Sequence, residues 1–346
     1  MNLTDRTPLR QVGENRMVSR FRDLAGAALT ASVVVGPGDD AAALRTRGDR
    51  LLLLTCDMLV EGVHFRREWA SGEDIGWKAM AVNLSDIAAM GGEPAAAVAS
   101  IAMPGDLPAQ LASEIAQGLI AAASAYGAAL AGGDLVGSPG PVVVDVALTG
   151  WVEEGSMLRR HGARPGDAIC VTGLLGASAA GLICLREGLT GDSCPELARL
   201  LQAHRRPTPR LREAQAIARA RLATAMMDLS DGLADDLPRL CAESGVGARI
   251  ACERLPVDSA SASLAGRIGT DALEMGLTGG EDYELLFTCP PAAVSDLAGA
   301  VSAATGTAVT VIGEIVEKAG VCFLGPDGRA ITSGQGFDHF ALGLLH

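Results

Sequence analysis

Aromatic side chains and long apolar runs are both scarce in this sequence. Phe, Trp and Tyr make up 3% of the 346 residues, whereas hydrophobic residues make up 49%. A core built by this chain must therefore consist of Ala, Val, Leu and Ile, with Gly at its close contacts. Apolar runs such as LLLL at 51–54 are far shorter than the roughly 20 residues of a membrane span, and MNLTDRTPLR has no apolar signal-peptide core. We expect a soluble, cytoplasmic protein.

Lysine and closely paired cysteines are also nearly absent. Lysine occurs only at 78 and 318, and the formal net charge is −13. A field of this sign disfavours nucleic acid and anionic membranes as partners. The cysteines include no C-x-x-C pair, which argues against a disulfide framework and a zinc site. The one arginine cluster, RRPTPRLR at 205–212, is interpreted as a solvated helix entry with Pro209 at its turn, rather than as a polyanion site.

The common phosphate-binding loops are missing as well. The sequence has no G-x-x-x-x-G-K-[ST] loop, no protein-kinase glycine loop with H-R-D and D-F-G partners, and no G-x-G-x-x-G after a strand. If a phosphorylated ligand binds, its charge must be neutralised mainly by metal ions. Arginines and helix N-termini would then have a supporting role.

The length of the chain favours two domains, since 346 residues exceed the usual size of one hydrophobic core. Extended segments alternate with longer helical segments, which indicates an α/β protein. Strands are predicted at 32–35, 51–56, 96–103, 142–151, 168–172, 224–227, 248–252, 284–288, 309–315 and 321–324, and helices at 73–90, 107–126, 177–186, 209–220 and 233–243. The turn-rich stretch 153–167 is the best boundary candidate, which gives an N-terminal domain of residues 1–152 and a C-terminal domain of residues 153–346.

Aspartates recur at the sharp turns that follow predicted strands. The set comprises Asp40 in GPGDDA, Asp57 in LLLLTCDM, Asp134 in ALAGGDL, Asp228 and Asp231 in MMDLSDGL, and also Asp86 in VNLSDIAAM. Taken singly, each would usually be a turn residue or a helix cap. Their number, and the glycines beside several of them, favour a site at which the backbone approaches a ligand closely.

Asp86 is the most informative member because it lies in the apolar segment WKAMAVNLSDIAAMG. Asn83 and Asp86 are three residues apart and share a helix face, which indicates that this face lines a polar site. A structural hydrogen-bond network is the alternative. Clustered carboxylates without converging His or Cys favour Mg²⁺, which commonly completes its coordination with water and substrate phosphates. The sequence therefore predicts several Mg²⁺ ions and a polyphosphate substrate.

A series of motifs in this order matches a known family: GDDAA, TCDMLVEGVHF, KAMAVNLSDIAAMGG, AGGD, GARPGDAICVTG, MDLSDGL, GGEDYEL and QGFDHF. The chain resembles the thiamine-monophosphate kinases, in the superfamily that includes aminoimidazole ribonucleotide synthetase and selenophosphate synthetase. The resemblance spans almost the whole chain. It implies an α/β (α+β) fold of two domains, each a mixed β-sheet packed with helices. It also implies a homodimer that pairs through the N-terminal domain, which would bind metal and ATP.

The activity implied by the resemblance is a phosphotransferase with a phosphate group as acceptor. The γ-phosphoryl group of ATP would pass by direct in-line attack to thiamine monophosphate, giving thiamine diphosphate in the last step of its biosynthesis. A monovalent-cation requirement is left open. Two alternatives remain: another ATP-dependent enzyme of the same superfamily, such as an aminoimidazole ribonucleotide synthetase, and a non-catalytic regulator that binds Mg²⁺ and nucleotide.

The resemblance also assigns site residues. The implied metal ligands are Asp40, Thr55, Cys56, Asp57, Asp86, Asp134, Asp228 and Asp231. The implied ATP contacts are Tyr126, Gly133, Asp134, Arg160 and Ser230. The implied thiamine monophosphate contacts are His64, Glu281 and Phe337. Two positions depart from the family pattern, since Cys56 and Leu135 stand where hydroxyl residues are usual; a thiol is a poorer ligand for Mg²⁺.

Overall fold

The structure is a computed structural model that describes residues 8–26, 28–192 and 194–331. Phe337 therefore lies outside the described residues. The strands are β1 (Val33–Val35), β2 (Ala42–Arg45), β3 (Arg50–Val60), β4 (Glu93–Met103), β5 (Ala129–Gly137), β6 (Val143–Glu153), β7 (Ala168–Thr172), β8 (Ala225–Asp228), β9 (Gly247–Ala251), β10 (Leu285–Cys289), β11 (Val309–Val316), β12 (Gly320–Leu324) and β13 (Ala330–Ile331). The α-helices are α1 (Leu9–Val12), α2 (Glu14–Gly26), α3 (Gly72–Ala89), α4 (Ala109–Ala125), α5 (Ala177–Arg186), α6 (Pro195–Arg205), α7 (Leu211–Ala220), α8 (Leu233–Ser244), α9 (Ser259–Ile268), α10 (Ala272–Thr278) and α11 (Val294–Thr305).

The first sheet has six strands in the order β1-β2-β3-β6-β4-β5. Its strands pair antiparallel except β4 and β5, which are parallel and joined through α4. Val144, Val146 and Leu148 of β6 are fully buried, while the residues between them are partly exposed. This alternation shows that one face of the sheet carries the core.

Helices α3 and α4 cover the buried face of this sheet and lie very close to each other. A Cβ atom at Gly76 would lie only 2.0 Å from the carbonyl oxygen of Ile115. Such close approach lets a chain with few aromatic side chains fill its core. The start of α3 is fixed by a capping box, in which Ser71 and Asp74 each accept the other's backbone N–H.

Within the described residues, the second sheet has seven strands in the order β13-β12-β9-β11-β7-β10-β8. It is also mixed, since β12 and β9 run parallel while the other pairs are antiparallel. The prediction of two domains, each with a mixed sheet packed with helices, is confirmed. The loop 154–167 joins the two sheets, and the division between residues 152 and 153 stays a prediction.

The two halves meet along α3. Met226 of β8 and Phe287 of β10 belong to the same buried cluster as Met80 and Leu84 of α3. Because the core continues across the junction, loops of the second domain are held against one face of this helix.

Arginines of the RRPTPRLR cluster lie at this junction. Arg206 Nε donates to Asp74 at 2.5 Å, and Arg210 Nε donates to the buried Glu284 at 2.9 Å. The interpretation as a solvated helix entry is therefore wrong for these two residues. The acids that accept these two hydrogen bonds are more than 70 positions away in sequence, so the local pattern could not show this pairing.

The predicted elements are present, most with ends shifted by a few residues. Two expected turns are wrong, because Asp134 lies within β5 and Asp57 lies within β3. The glycines around Asp134 suggested a turn. In the structure they lie within β5, which is an edge strand. Strands β2, β5 and β13 and helices α1, α2, α6, α9, α10 and α11 were not predicted. Within the described residues, no helix is both long and apolar enough to cross a membrane.

Candidate active site

Three aspartates converge where α3 meets the second sheet. Asp40 lies just before β2, Asp86 lies near the end of α3, and Asp228 is the last residue of β8. One carboxylate oxygen from each lies within 4.8 Å of the others. This group contains only oxygen ligands, which suits a hard cation such as Mg²⁺.

Asp40 keeps one oxygen without a protein partner. The Arg160 guanidinium donates to Asp40 Oδ1 through Nε at 3.0 Å and also through Nη2. Asp40 Oδ2 is buried and has no hydrogen-bond partner among the residues that the structure describes. Because buried carboxylate oxygens are nearly always satisfied, this oxygen fits a metal ligand.

The other two aspartates each accept a hydroxyl hydrogen bond. Thr55 of β3 donates to Asp86, and Ser85 of α3 donates to Asp228. The bond from Ser85 crosses from the first domain to the second, since Ser85 and Asp228 are 143 positions apart. Ser85 was not predicted as a site residue, although it lies inside the NLSD motif.

Burial and mutual repulsion raise the pKa values of all three carboxyl groups. Desolvation raises the pKa of Asp40 to about 7, although the charge of Arg160 opposes it. Desolvation likewise raises the pKa of Asp228 to about 6. The pKa of Asp86 is raised well above its usual value by desolvation and then by the charge of Asp57. Bound cations would relieve this repulsion and favour the ionised forms.

Asp57 and Asn83 lie beside the cluster. Asn83 is fully buried; its Oδ1 accepts the Asp57 amide N–H at 3.1 Å, and its Nδ2 donates to the Ala79 carbonyl at 3.0 Å. The polar face of α3 therefore both lines a polar site and contributes to a structural hydrogen-bond network. Asn83 holds the backbone of β3, while Asp86 joins the carboxylate cluster.

Asp231 lies in an ion pair instead. Arg239 Nη1 of α8 lies 2.5 Å from Asp231 and 2.9 Å from Asp236. The charge of Asp231 still acts on the cluster, because it contributes to the raised pKa of Asp228. For Asp231 to become a metal ligand, its contact with Arg239 must loosen.

Cys56 lies on the far face of the first sheet, which is the face turned away from helices α3 and α4. Because side chains alternate along a strand, Cys56 points away from the face that carries Thr55 and Asp57. Its thiol lies 3.3 Å from Asp145 Oδ1. The thiol is therefore not beside the cluster, and only the backbone of Cys56 remains close to it.

Asp134 is also on the far face. It is in register with Ser100, which is in register with Asp145. The residues in register with Asp57 lie across β6 and β4, and on β5 the residue in this register is Gly133. Three strand spacings amount to about 14 Å. The structure thus does not bring Asp134 to the three aspartates of its own chain.

The neighbours of Asp134 have simple structural settings. A Cβ atom at Gly133 would lie 2.0 Å from the Ala99 carbonyl oxygen, so strand pairing alone requires glycine there. Leu135 is 59% exposed on the edge strand.

The other residues implied for ATP lie in different places. Arg160 is at the cluster, and Ser230 follows Asp228 by two residues. Tyr126 is at the end of α4, where its ring packs edge-on against Trp77 with centroids 6.3 Å apart. Arg160 therefore lies at the aspartates and Ser230 is close to Asp228 in sequence, whereas Tyr126 packs against Trp77.

His64 and Glu281 meet through Lys78, which begins the motif KAMAVNLSDIAAMGG but was not predicted as a site residue. Lys78 Nζ donates to the His64 carbonyl oxygen at 3.0 Å and to Glu281 Oε2 at 2.8 Å. The His64 ring accepts the Val60 N–H at its Nδ1 atom at 3.0 Å. A signal for Lys78 existed, since it is one of two lysines and lies in an apolar helix.

Comparison with known proteins agrees with this geometry. Residues 38–152 match the family described as AIR synthase related protein, N-terminal domain, and residues 164–323 match its C-terminal domain. The fold and the aspartate cluster thus define a protein of the AIR synthase related class.

Individual relatives narrow this class. The chain is 37% identical to the thiamine-monophosphate kinase of Rhodopirellula baltica over 84% of this chain and 85% of that protein. It is 37% identical to that of Salmonella typhimurium over 95% of this chain and 98% of that protein. A solved structure described as AaThiL complexed with AMPPCP and TMP is 33% identical, has a TM-score of 0.84, and covers 97% of this chain and 100% of that chain. The chain belongs to the thiamine-monophosphate kinase family.

Proposed function

We propose that this protein transfers the γ-phosphoryl group of ATP to the phosphate of thiamine monophosphate, forming thiamine diphosphate. The observation that carries this function is the convergence of Asp40, Asp86 and Asp228 at the domain junction of a chain from this kinase family. The similar AaThiL structure was solved with AMPPCP and TMP, which supports ATP and thiamine monophosphate as the reactants.

The chemistry asks little of the protein beyond positioning and charge. An acceptor phosphate is already a nucleophile, so direct in-line attack needs no general base. The site's own residues must hold two anionic reactants together and keep them in line. The Arg160 guanidinium lies at the cluster and can contact phosphate oxygens if its bond to Asp40 is shared.

The residues at the cluster fit Mg²⁺. Asp40, Asp86 and Asp228 would hold the ions, with Asp57 beside them and Thr55 orienting Asp86. Bound Mg²⁺ supplies charge neutralisation for the transferring phosphoryl group. Unlike a bare ion pair, this arrangement explains the buried Asp40 Oδ2 atom without a partner.

Stabilisation by Mg²⁺ should grow with pH. The pKa values of Asp40 and Asp228 are raised to about 7 and about 6 in the folded protein, so the folded state binds protons more tightly than the unfolded state. The metal-free protein should therefore lose stability as pH rises towards 7. We expect the increase in Tm on adding MgCl₂ to be larger at about pH 8 than at about pH 6. Scanning calorimetry in EDTA and in MgCl₂ measures it, and equal increases at both pH values would contradict a metal role for these groups.

A coupled ADP-release assay tests the function. Thiamine monophosphate should stimulate Mg²⁺-dependent ADP formation, with thiamine diphosphate as the second product. Stimulation by formylglycinamidine ribonucleotide alone would favour the aminoimidazole ribonucleotide synthetase alternative. ATP binding without turnover on either acceptor would favour a non-catalytic regulator.

We also propose a homodimer that forms through the far face of the first sheet. Leu54, Met58, Val98 and Val136 lie on this face and are between 40% and 52% exposed. Grouped half-exposed apolar side chains on an open sheet face are typical of a protein interface. A second copy on this face would also bury Cys56, and Asp134 would then lie at the interface.

A charge on this face should separate the copies. We expect Val98→Glu to give a monomer by size-exclusion chromatography with light scattering, because it would bury a carboxylate in the interface. Ile268→Glu, at a 42% exposed position of α9, is the matched control and should leave the oligomer unchanged. A Val98→Glu protein with the wild-type mass in solution would refute this interface.

The reducing cytoplasm is the proposed location. All eight cysteines are free thiols, and five of them are buried. Free thiols in this number are typical of proteins from a reducing compartment.

A further inference from the structure

Lys78 is a buried lysine that the proposed chemistry does not use directly. It is 2% exposed, and its amine lies 2.7 Å from Glu281 Oε1, 2.8 Å from Oε2 and 3.0 Å from the His64 carbonyl oxygen. Lysine is almost never fully buried unless it is paired. These contacts therefore pay the cost of placing its charge inside the protein.

The contacts of Lys78 join two separate segments. His64 belongs to the turn that follows β3 in the first domain, and Glu281 belongs to the loop between α10 and β10 in the second. The two residues are 217 positions apart in sequence, and the lysine amine touches both. Without this amine, the His64 turn and the Glu281 loop would no longer be tied to each other.

Lys78 is also the cation that faces Glu281. His204 Nδ1 lies 3.2 Å from Glu281 Oε2, but burial and the charge of Lys78 lower the pKa of His204 to about 3. The imidazole is therefore neutral near pH 7. The charge pairing at Glu281 then comes from Lys78.

The Glu281 loop needs to be held. Glu281 and Tyr283 have φ angles of 66° and 52°, which are left-handed conformations for non-glycine residues. Each such residue costs on the order of 1 kcal/mol. The loop is fixed at several points: the Glu281 amide donates to the Ser230 carbonyl at 2.7 Å, and Asp282 accepts the Gly176 amide at 2.6 Å. Lys78 fixes the side chain of Glu281 from the other domain.

The same helix face also reaches the aspartate cluster. Lys78 and Ser85 are seven residues apart, which places them two turns from each other on one face of α3, with a rise of about 10 Å. Ser85 contacts Asp228 while Lys78 contacts Glu281. The helix therefore sets the spacing between the phosphate end of the site and Glu281. This spacing suits an acceptor with a phosphate at one end and rings at the other.

We propose that Lys78 is a positioning residue for the acceptor, which ties the His64 turn to Glu281 and holds both at a set distance from the aspartates. This inference rests on the proposed function, because it assigns His64 and Glu281 to the thiamine monophosphate site. The lysine acts through these two residues and not on the reacting atoms. Its loss should therefore weaken use of the acceptor more than use of ATP.

The test compares Lys78→Met, Lys78→Arg and a matched control, Arg206→Met. Lys78→Met keeps the length of the side chain and removes its charge. We expect it to raise the KM for thiamine monophosphate roughly 10-fold or more, with the KM for ATP changed less than about 2-fold. Lys78→Arg should restore part of the loss. Arg206→Met removes a different ion pair between the domains, that with Asp74, and should leave both KM values near wild type.

The outcomes separate this inference from the proposed function. Equal rises in both KM values, or an unchanged KM for thiamine monophosphate, would overturn the positioning role. If Lys78→Met does not fold, Lys78→Arg provides the comparison, because it keeps the charge but moves the donor atoms that contact Glu281 and the His64 carbonyl oxygen. A larger rise in the KM for the acceptor than in the KM for ATP supports the role, and parallel rises refute it. A wild-type protein that never uses thiamine monophosphate refutes the proposed function itself.

Discussion

Asp86→Asn is expected to lower kcat by at least about 100-fold while the protein stays folded. Asparagine keeps the shape of the side chain and can still accept the hydrogen bond from Thr55. It removes a negative charge whose neighbours, Asp57, Asp228 and Asp40, all disfavour its ionisation. Without metal, the variant should therefore have a Tm equal to or above that of the metal-free wild type. With Mg²⁺ present, its turnover should nevertheless be very low.

The combination of these two results distinguishes a metal ligand from a structural group. If Asp86 only completed a hydrogen-bond network, the amide would serve nearly as well and turnover would remain. Asp106→Asn, at an exposed loop position, is the matched control and should leave both turnover and Tm unchanged. Steady-state assays over a range of MgCl₂ concentrations add a second measure, because the variant should need more Mg²⁺ for half-maximal rate.

The sequence predicted that six aspartates share one site, and the structure brings three of them together. Asp40, Asp86 and Asp228 could be selected because each lies within a motif that is otherwise apolar or rich in glycine. An ionisable group in such a setting is costly unless it has a purpose. The long helix around Asp86 could be predicted from composition for the same reason, since its apolar residues continue on nearly all sides.

Other parts of the site depend on pairing that a local pattern cannot contain. The face on which Cys56 and Asp134 lie is decided by strand register, and a shift of one residue would reverse it. The partner of Lys78 is Glu281, more than 200 positions away. The motif grouped Asp231 with Asp228 as a metal ligand, whereas the structure shows Asp231 in an ion pair with Arg239 of α8. Sequence thus identified the charged groups, while the fold decided which of them are partners.

Arg160→Met tests whether Asp40 is a metal ligand or only the ion-pair partner of Arg160. Both hydrogen bonds from the Arg160 guanidinium go to Oδ1, and the buried Oδ2 has no partner within the described part of the chain. In EDTA the variant leaves a buried carboxylate with its main counter-charge removed. We expect the free energy of unfolding to fall by about 3 kcal/mol under these conditions, near pH 8, because the folded variant must either keep the Asp40 charge unpaired or bind a proton there.

Mg²⁺ should restore most of that loss. A divalent cation at Oδ2 replaces the missing positive charge, so denaturant unfolding in MgCl₂ should show a much smaller difference from wild type than unfolding in EDTA. Arg159→Met is the control next to it, since Arg159 is 40% exposed and contacts Asp39 at 3.3 Å. It should cost less than about 1 kcal/mol in either buffer. A loss for Arg160→Met that is equally large with and without Mg²⁺ would show that Asp40 is a structural ion pair, because a cation bound at that carboxylate must offset the missing guanidinium.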